Sequence, residues 1–220
     1  MRIFCDFDGT ISTVDTTDLV LSRLAPPAWR EIEDEWIAGR IDAARCMRDQ
    51  IGLLTASDAA LDVVLDEVEI DPSFGVFAAW CERQSIPLVV LSDGVERFIQ
   101  RIMARNGLGH LPVYANRASP ESGWRLSQPW ADRHCSAGQG VCKCALALGP
   151  HERRGTVFIG DGRSDFCLGM EADMVFAKSK LAEHLAANGA PFFTFHSFHD
   201  IAAVLSRKDA QAPQLVTATL

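Results

Sequence analysis

The sequence predicts an α/β protein with a mostly parallel sheet and a helical insert after its first strand, and three observations carry that prediction. Short apolar runs bounded by turn residues recur along the chain, as buried parallel strands do. Helical stretches alternate with them, the pattern of a layered α/β core. The alternation then fails over one block, from about Val14 to Asp71, where helical stretches follow one another with no good strand between them.

Taken in order, the apolar runs are Arg2–Phe7, Ile86–Ser92, Thr156–Asp161, Met174–Ala177 and Pro191–Phe195. Helices are predicted at Pro72–Arg83 and Val95–Asn106 around the second run, with Asn106-Gly107 as a stop signal. Others follow the later runs, at Gly162–Met170, Lys180–Asn188 and Phe198–Ser206. The insert contains helical stretches near Asp15–Leu24, Pro27–Ala38, Asp42–Ile51 and Ser57–Val68, the last opened by Ser57 as N-cap with Asp58 in the first turn. Tyr114–Cys144 is polar, rich in Gly and Pro, and reads as a long loop or a small hairpin flap; loops of that length are usually functional. The predicted organisation is an α/β core of residues 1–13 and 71–206, a helical cap at 14–70, a flap-like loop at 114–144 within the core, and a loose tail at 207–220.

Composition narrows the function. The formal net charge is −8, and an acidic surface repels a phosphate backbone, so nucleic acid is not the expected partner. One small phosphorylated substrate is still compatible, because a metal and a few local cations override net charge. The chain has seven cysteines, an odd number that suits a reducing compartment better than a disulfide framework. No apolar stretch follows Met1-Arg2-Ile3-Phe4-Cys5 in the manner of a signal peptide, and no run approaches the roughly 20 apolar residues that span a bilayer. The expectation is a soluble, cytoplasmic protein.

Chemistry-bearing residues gather at the ends of the predicted strands. Asp6-Phe7-Asp8-Gly9-Thr10 closes the first. Strand alternation would point Asp6 and Asp8 the same way and Phe7 the other. Two carboxylates together are costly without a cation between them, and Gly9 permits a sharp turn or a close backbone approach. In isolation the same stretch also reads as an Asp-Gly turn with Asp6 as a cap. The second strand runs into Ser92-Asp93-Gly94 and then a helix, where a hydroxyl and N–H groups would make an anion site; Ser92 or Asp93 as an ordinary N-cap is the competing reading. Lys143 precedes a helical stretch at Cys144–Leu148, and most single lysines are solvated charges. Val157-Phe158-Ile159-Gly160 leads into Asp161-Gly162-Arg163-Ser164-Asp165, with carboxylates at its start and four residues on. These glycines do not form the Gly-x-Gly-x-x-Gly pattern of a dinucleotide site.

Acidic pair, hydroxyl, lysine and acidic pair follow one another in that order, and in this the chain resembles the haloacid dehalogenase superfamily. The four motifs are matched by Asp6-Phe7-Asp8-Gly9-Thr10, Ser92, Lys143 and Gly160-Asp161-Gly162-Arg163-Ser164-Asp165, and the resemblance spans nearly the whole chain. The helical insert looks like the C1-type cap of the phosphoserine-phosphatase-like branch. Val113-Tyr114-Ala115-Asn116-Arg117-Ala118, Trp130 and the run through Cys142-Lys143-Cys144 are similar to the MtnX-like group, as is Val175-Phe176-Ala177-Lys178 with Phe192–Phe198. That group includes the 2-hydroxy-3-keto-5-methylthiopentenyl-1-phosphate phosphatase of methionine salvage.

The resemblance implies a Rossmann-like core and a magnesium-dependent phosphomonoesterase that works through an aspartyl-phosphate. It makes Asp6 the nucleophile and Asp8 the acid and base. Ser92, the N–H groups around Gly94, and Lys143 would hold the phosphoryl group. The metal would be held by Asp6, the Asp8 carbonyl and Asp161, with Asp165 acting from the outer shell on a metal water or on Lys143. Phosphoserine, phosphocholine and phosphoethanolamine phosphatases, a phosphotransferase, and a non-catalytic phosphate-binding protein on the same fold are the alternatives. A signalling receiver domain is excluded by its shorter length and by the insert. Arg40 and Arg48, near Trp36, are candidate substrate contacts if one helix carries them, although Gly39 argues against an unbroken helix and a solvated basic face would look the same. Cys135, Cys142 and Cys144, with His134 adjacent, either hold zinc or are thiols that line the flap; their spacing matches no standard structural zinc pattern.

Overall fold

The computed structural model describes residues 1–121, 123–132, 135, 137–149 and 155–207. The predicted tail therefore lies, beyond Arg207, outside the described residues. In chain order the elements are β1 (Arg2–Cys5), α1 (Thr16–Leu24), α2 (Trp29–Ile37), α3 (Ala43–Ile51), α4 (Asp58–Leu65), α5 (Phe74–Arg83), β2 (Leu88–Val95), α6 (Glu96–Arg105), β3 (Val113–Ser119), β4 (Arg125–Ser127), α7 (Lys143–Leu148), β5 (Thr156–Gly160), a 3-10 turn (Arg163–Asp165), α8 (Phe166–Glu171), β6 (Met174–Ala177), α9 (Ser179–Ala187), β7 (Phe193–Thr194) and α10 (Phe198–Leu205). Among the described residues, no helix is long and apolar enough to cross a membrane.

The chain divides into two compact units. The first comprises Met1–Thr13, Ile70–Val90 and the chain from Lys143 onward. Its strands run in parallel in the order β2-β1-β5-β6-β7, with Cys5 opposite both Val90 and Ile159. Every residue of β5 is buried, as expected of a strand covered on both faces, where a solvated face would have left alternate residues exposed. Aromatic rings fill one side of this core: Phe198 meets Phe74 edge-on at 4.8 Å and Phe77 at 5.4 Å. The first time the chain leaves this unit, it exits and re-enters at adjacent points, because Asp71 donates its N–H to the Ile11 carbonyl at 2.8 Å and Ser12 bridges Ile70.

The second unit comprises Val14–Glu69 and Leu91–Cys142. It holds α1 to α4, α6, and the antiparallel pair β3–β4, in which Ala118 faces Leu126. The polar stretch after Tyr114 is thus partly a hairpin. Ser57 caps α4 by accepting the Ala60 N–H. Arginines of α6 tie that helix to α4: Arg101 reaches Asp62 and Asp66, and Arg97 reaches Asp58. Arg105 donates to the carbonyls of Asp66 and Val68. The segment after β4 is held to α3 through its backbone, since Ala44 N–H donates to the Gly138 carbonyl and Gln128 Nε2 to the Ala44 carbonyl.

Two local expectations are corrected, and the break expected at Gly39 is found. First, β1 stops at Cys5 and Asp8 lies in a turn. Thr10, Ile11 and Ser12 all donate to the Phe7 carbonyl, so strand alternation does not orient Asp8. Second, β2 runs through Ser92, Asp93 and Gly94 to Val95, and α6 starts only at Glu96 with Val95 as a cap that makes no side-chain bond. Ser92 is therefore a strand residue and neither a helix cap nor part of a helix start. At the expected break, α2 ends at Ile37 and Gly39 adopts a φ of 71°, a left-handed conformation that a glycine accepts without strain. Arg40 consequently lies in the bend between α2 and α3, while Arg48 sits on α3.

Candidate active site

The first unit brings four of the predicted residues together. Asp6 follows β1 directly and is still anchored to the sheet, its N–H donating to the Ile159 carbonyl at 2.9 Å. Asp161 follows β5, and Asp165 closes the short turn after it. Lys143 opens α7. Its Nζ donates to Asp6 Oδ1 at 2.5 Å, to Asp165 Oδ1 at 2.5 Å and to Ser164 Oγ at 3.1 Å. An ammonium thus bridges two carboxylates, and all three side chains are almost wholly out of solvent. Charges buried this deeply persist only when paired and hydrogen-bonded.

Asp165 does two jobs with its two oxygens. Oδ1 takes Lys143, while Oδ2 accepts the N–H groups of Asp161 and Gly162 at 2.9 Å each. It therefore fixes the turn that aims Asp161. Two glycines are dictated by this crowding. A Cβ on Gly160 would come within 2.6 Å of Asp165 Oδ2, and one on Gly9 within 2.6 Å of Asp161 Oδ2. Gly9 also has a φ of 74°. Thr10, in the same turn, donates its hydroxyl to Asp161 Oδ1 at 3.1 Å.

Three carboxylates and one ammonium meet here, so negative charge outnumbers positive. Burial pushes the Asp6 carboxyl well above its ordinary range, the neighbouring Asp165 charge adds to that, and Lys143 opposes both. Asp161 is raised by burial and then by Asp165. Burial alone would lower Lys143, but the carboxylates of Asp165 and Asp6 outweigh it and hold the ammonium charged. Asp6, Asp161 and Asp165 each offer an oxygen within 4.8 Å of the others. Hard carboxylate oxygens of this kind suit magnesium. Asp6 and Asp161 fit as direct ligands. Asp165 fits the outer shell better, because both of its oxygens are already engaged.

Asp8 is half-buried in the turn beside Gly9. It is near enough to Asp6 for its charge to help raise that carboxyl. Ser92 belongs to the second unit, is buried, and accepts the Gly94 N–H at 2.9 Å. Beside it in that unit, Asp93 accepts the Val141 N–H through its carboxylate and an Asn116 amide hydrogen through its carbonyl. Arg40 is exposed and doubly bonded to Glu35, at 2.7 and 2.8 Å. Arg48 donates to Gln128 Oε1 at 2.9 Å. Among the described residues, Cys135, Cys142 and Cys144 form no metal-ligating group; His134 lies outside those residues. Sequence reasoning missed the roles of Thr10 and Ser164. Both sit inside quoted motifs, but their partners lie 151 and 21 residues away, and no local pattern announces them.

The family model described as haloacid dehalogenase-like hydrolase matches residues 3–170. A protein of Brevibacillus brevis named 2-hydroxy-3-keto-5-methylthiopentenyl-1-phosphate phosphatase is 31% identical, over 93% of this chain and 95% of its own. A Geobacillus kaustophilus protein of the same name is 29% identical, over 94% and 96%. Among solved structures, a phospho-aspartyl intermediate analogue of phosphoserine phosphatase superposes with a TM-score of 0.65 at 18% identity, over 92% of this chain and 97% of that one.

Proposed function

The chain belongs to the haloacid dehalogenase-like hydrolases and is a phosphatase, and from that premise we propose that it hydrolyses 2-hydroxy-3-keto-5-methylthiopentenyl-1-phosphate, with magnesium and through an aspartyl-phosphate on Asp6. One observation carries the chemistry: the buried Asp6–Lys143–Asp165 bridge with Asp161 beside it. The substrate rests on the names of relatives that match this chain almost from end to end.

Asp6 and Asp161, with the Asp8 carbonyl, would hold the magnesium ion. The ion supplies charge neutralisation of the phosphoryl oxygens and of the clustered carboxylates. Asp6 attacks phosphorus with the oxygen that is not committed to Lys143. Lys143 holds the other oxygen, keeps the carboxylate oriented, and offsets charge that builds in the transition state. Asp8 gives a proton to the departing alkoxide, then takes one from the water that cleaves the acyl phosphate. Ser92 and the Gly94 region bind phosphoryl oxygens in this reading. Asp165 acts indirectly, by positioning Lys143 and the Asp161 turn. A cytoplasmic setting agrees with seven cysteines of which none is disulfide-bonded.

The test is a comparison of kcat/KM for the proposed substrate with that for phosphoserine, phosphocholine and phosphoethanolamine, with magnesium and with EDTA. The proposal expects the methylthiopentenyl phosphate to exceed the others by at least about 100-fold. A preference for any of the others would overturn the substrate. Turnover that survives EDTA would overturn the metal.

A further inference from the structure

We propose that Cys144 and Cys167 form a reversible disulfide that staples the helix carrying Lys143 to the helix that follows Asp165. The site chemistry uses neither thiol. Cys144 is the second residue of α7 and Cys167 the second of α8, two helices that lie against each other in the first unit. Their sulfurs are 2.8 Å apart, with Cys144 Sγ donating to Cys167 Sγ. A disulfide bond is about 2.05 Å long, so closure needs a shift of less than an ångström. Four of the other five cysteines are poorly placed to compete, and the fifth, Cys135, is tested below. Cys5, Cys46, Cys81 and Cys142 are buried, whereas Cys167 is exposed and Cys144 partly so. Burial also pushes the thiols of Cys46 and Cys81 up to about 12, which leaves little thiolate for attack.

The oxidant is a small-molecule disulfide such as oxidised glutathione. The Cys167 sulfur attacks it and displaces one glutathione thiol, giving a mixed disulfide. Cys144 then attacks the Cys167 sulfur and releases the second. Two electrons and the two thiol protons leave the protein, and one oxidised glutathione becomes two reduced ones. The new covalent loop runs from Cys144 to Cys167 and encloses β5, Asp161 and Asp165. Lys143, the residue next to Cys144, is thereby held beside Asp165. Oxidation is expected to stabilise the site region rather than dismantle it.

The experiment equilibrates the full chain with glutathione buffers of rising oxidised fraction, alkylates the remaining thiols, and identifies the peptides by mass spectrometry. The expected product is a 144–167 linked peptide, two hydrogens lighter than the reduced pair and reversed by dithiothreitol. Tm should rise on oxidation by on the order of 5–10 °C. Cys167→Ser, an exposed and conservative change, should abolish both effects; Cys144→Ser is the second variant. Accumulation of glutathionylated Cys167 with Cys144 still open to alkylation would overturn the proposal. So would a cross-link through Cys135 or Cys142, or an oxidised protein no more stable than the reduced one. None of these readouts depends on the substrate or the metal.

Discussion

Lys143→Met removes the ammonium at the centre of the site and keeps an unbranched side chain of similar length. In the wild type, one Nζ is held at 2.5 Å from each of two buried carboxylates. The variant leaves Asp6 and Asp165 buried together without a cation. Breaking a buried ion pair by removing one partner costs about 3–5 kcal/mol. For a chain of this size that is a Tm loss of roughly 6–20 °C, to be measured without magnesium at pH 8. The loss should shrink as pH falls. The Asp6 carboxyl is already raised by burial and by Asp165, with Lys143 the main opposing influence; without Lys143 it rises further. A carboxyl raised in the folded state binds more protons folded than unfolded, so acid stabilises the fold through it and rising pH removes that stability. The variant should therefore approach the wild type in acid. Adding Asp165→Asn, whose oxygen can keep the N–H groups of Asp161 and Gly162, should restore part of the Tm. Turnover should fall about 10²–10³-fold or more, the magnitude of a lost electrostatic contact to the transition state. A variant as stable as the wild type at pH 8, or a Tm gap that does not narrow in acid, would refute the reasoning.

Four further outcomes follow from the same geometry. Asp6→Asn should fold, as judged by circular dichroism, yet lose turnover by at least about 10⁴-fold, and near-normal activity would remove Asp6 as nucleophile. Magnesium should raise Tm more at pH 8 than near pH 5, because Asp6 and Asp161 titrate above their usual range and protonated carboxyls do not bind metal; Asp161→Asn should cut magnesium affinity in calorimetry at least about tenfold. Gly9→Ala combines a φ of 74° with a Cβ 2.6 Å from Asp161 Oδ2, so it should cost about 1–3 kcal/mol in denaturant unfolding and weaken magnesium binding. Arg48→Ala removes the bond to Gln128 and, if that bond is its whole role, should change KM for the proposed substrate and for para-nitrophenyl phosphate alike, by less than about threefold; a selective rise for the natural substrate would make Arg48 a substrate contact.

The parts of the fold that could be read from the sequence are those whose signals are local. Thr156–Gly160 was recognisable as a strand because burial on both faces demands an unbroken apolar run. Ser57 was recognisable as a cap because its oxygen needs only the N–H three residues on. β3 and β4 were readable only as a hairpin among alternatives. β4 has three residues, two of them exposed, and so offers almost no apolar alternation. The end of β2 was misjudged for a related reason. Ser92-Asp93-Gly94 has the composition of a turn and even the local Gly94-to-Ser92 bond of one, yet the strand continues through it; Asp93 carries bonds from Asn116 and Val141 that no nearest-neighbour pattern contains.

The site divides along the same line. Asp6 and Asp161 stand at strand ends, with Asp165 closing the turn just after Asp161, where topology alone gathers side chains, so their order in the chain was informative. Lys143 had no such address. Its partners lie 137 and 22 residues away, and a lysine opening a six-residue helix looks like any solvated charge; only the resemblance singled it out. The arginines show the converse. Arg40 and Arg48 looked available because charge near an aromatic is easy to see in a sequence, whereas Glu35 and Gln128, which occupy them, are found only through the fold. In the proposed mechanism every named residue acts on the phosphoryl group or the metal, so discrimination between phosphomonoesters has to come from contacts to the rest of the substrate. Assays that vary the substrate while the site is held constant are therefore the ones that will separate this phosphatase from others with the same carboxylates.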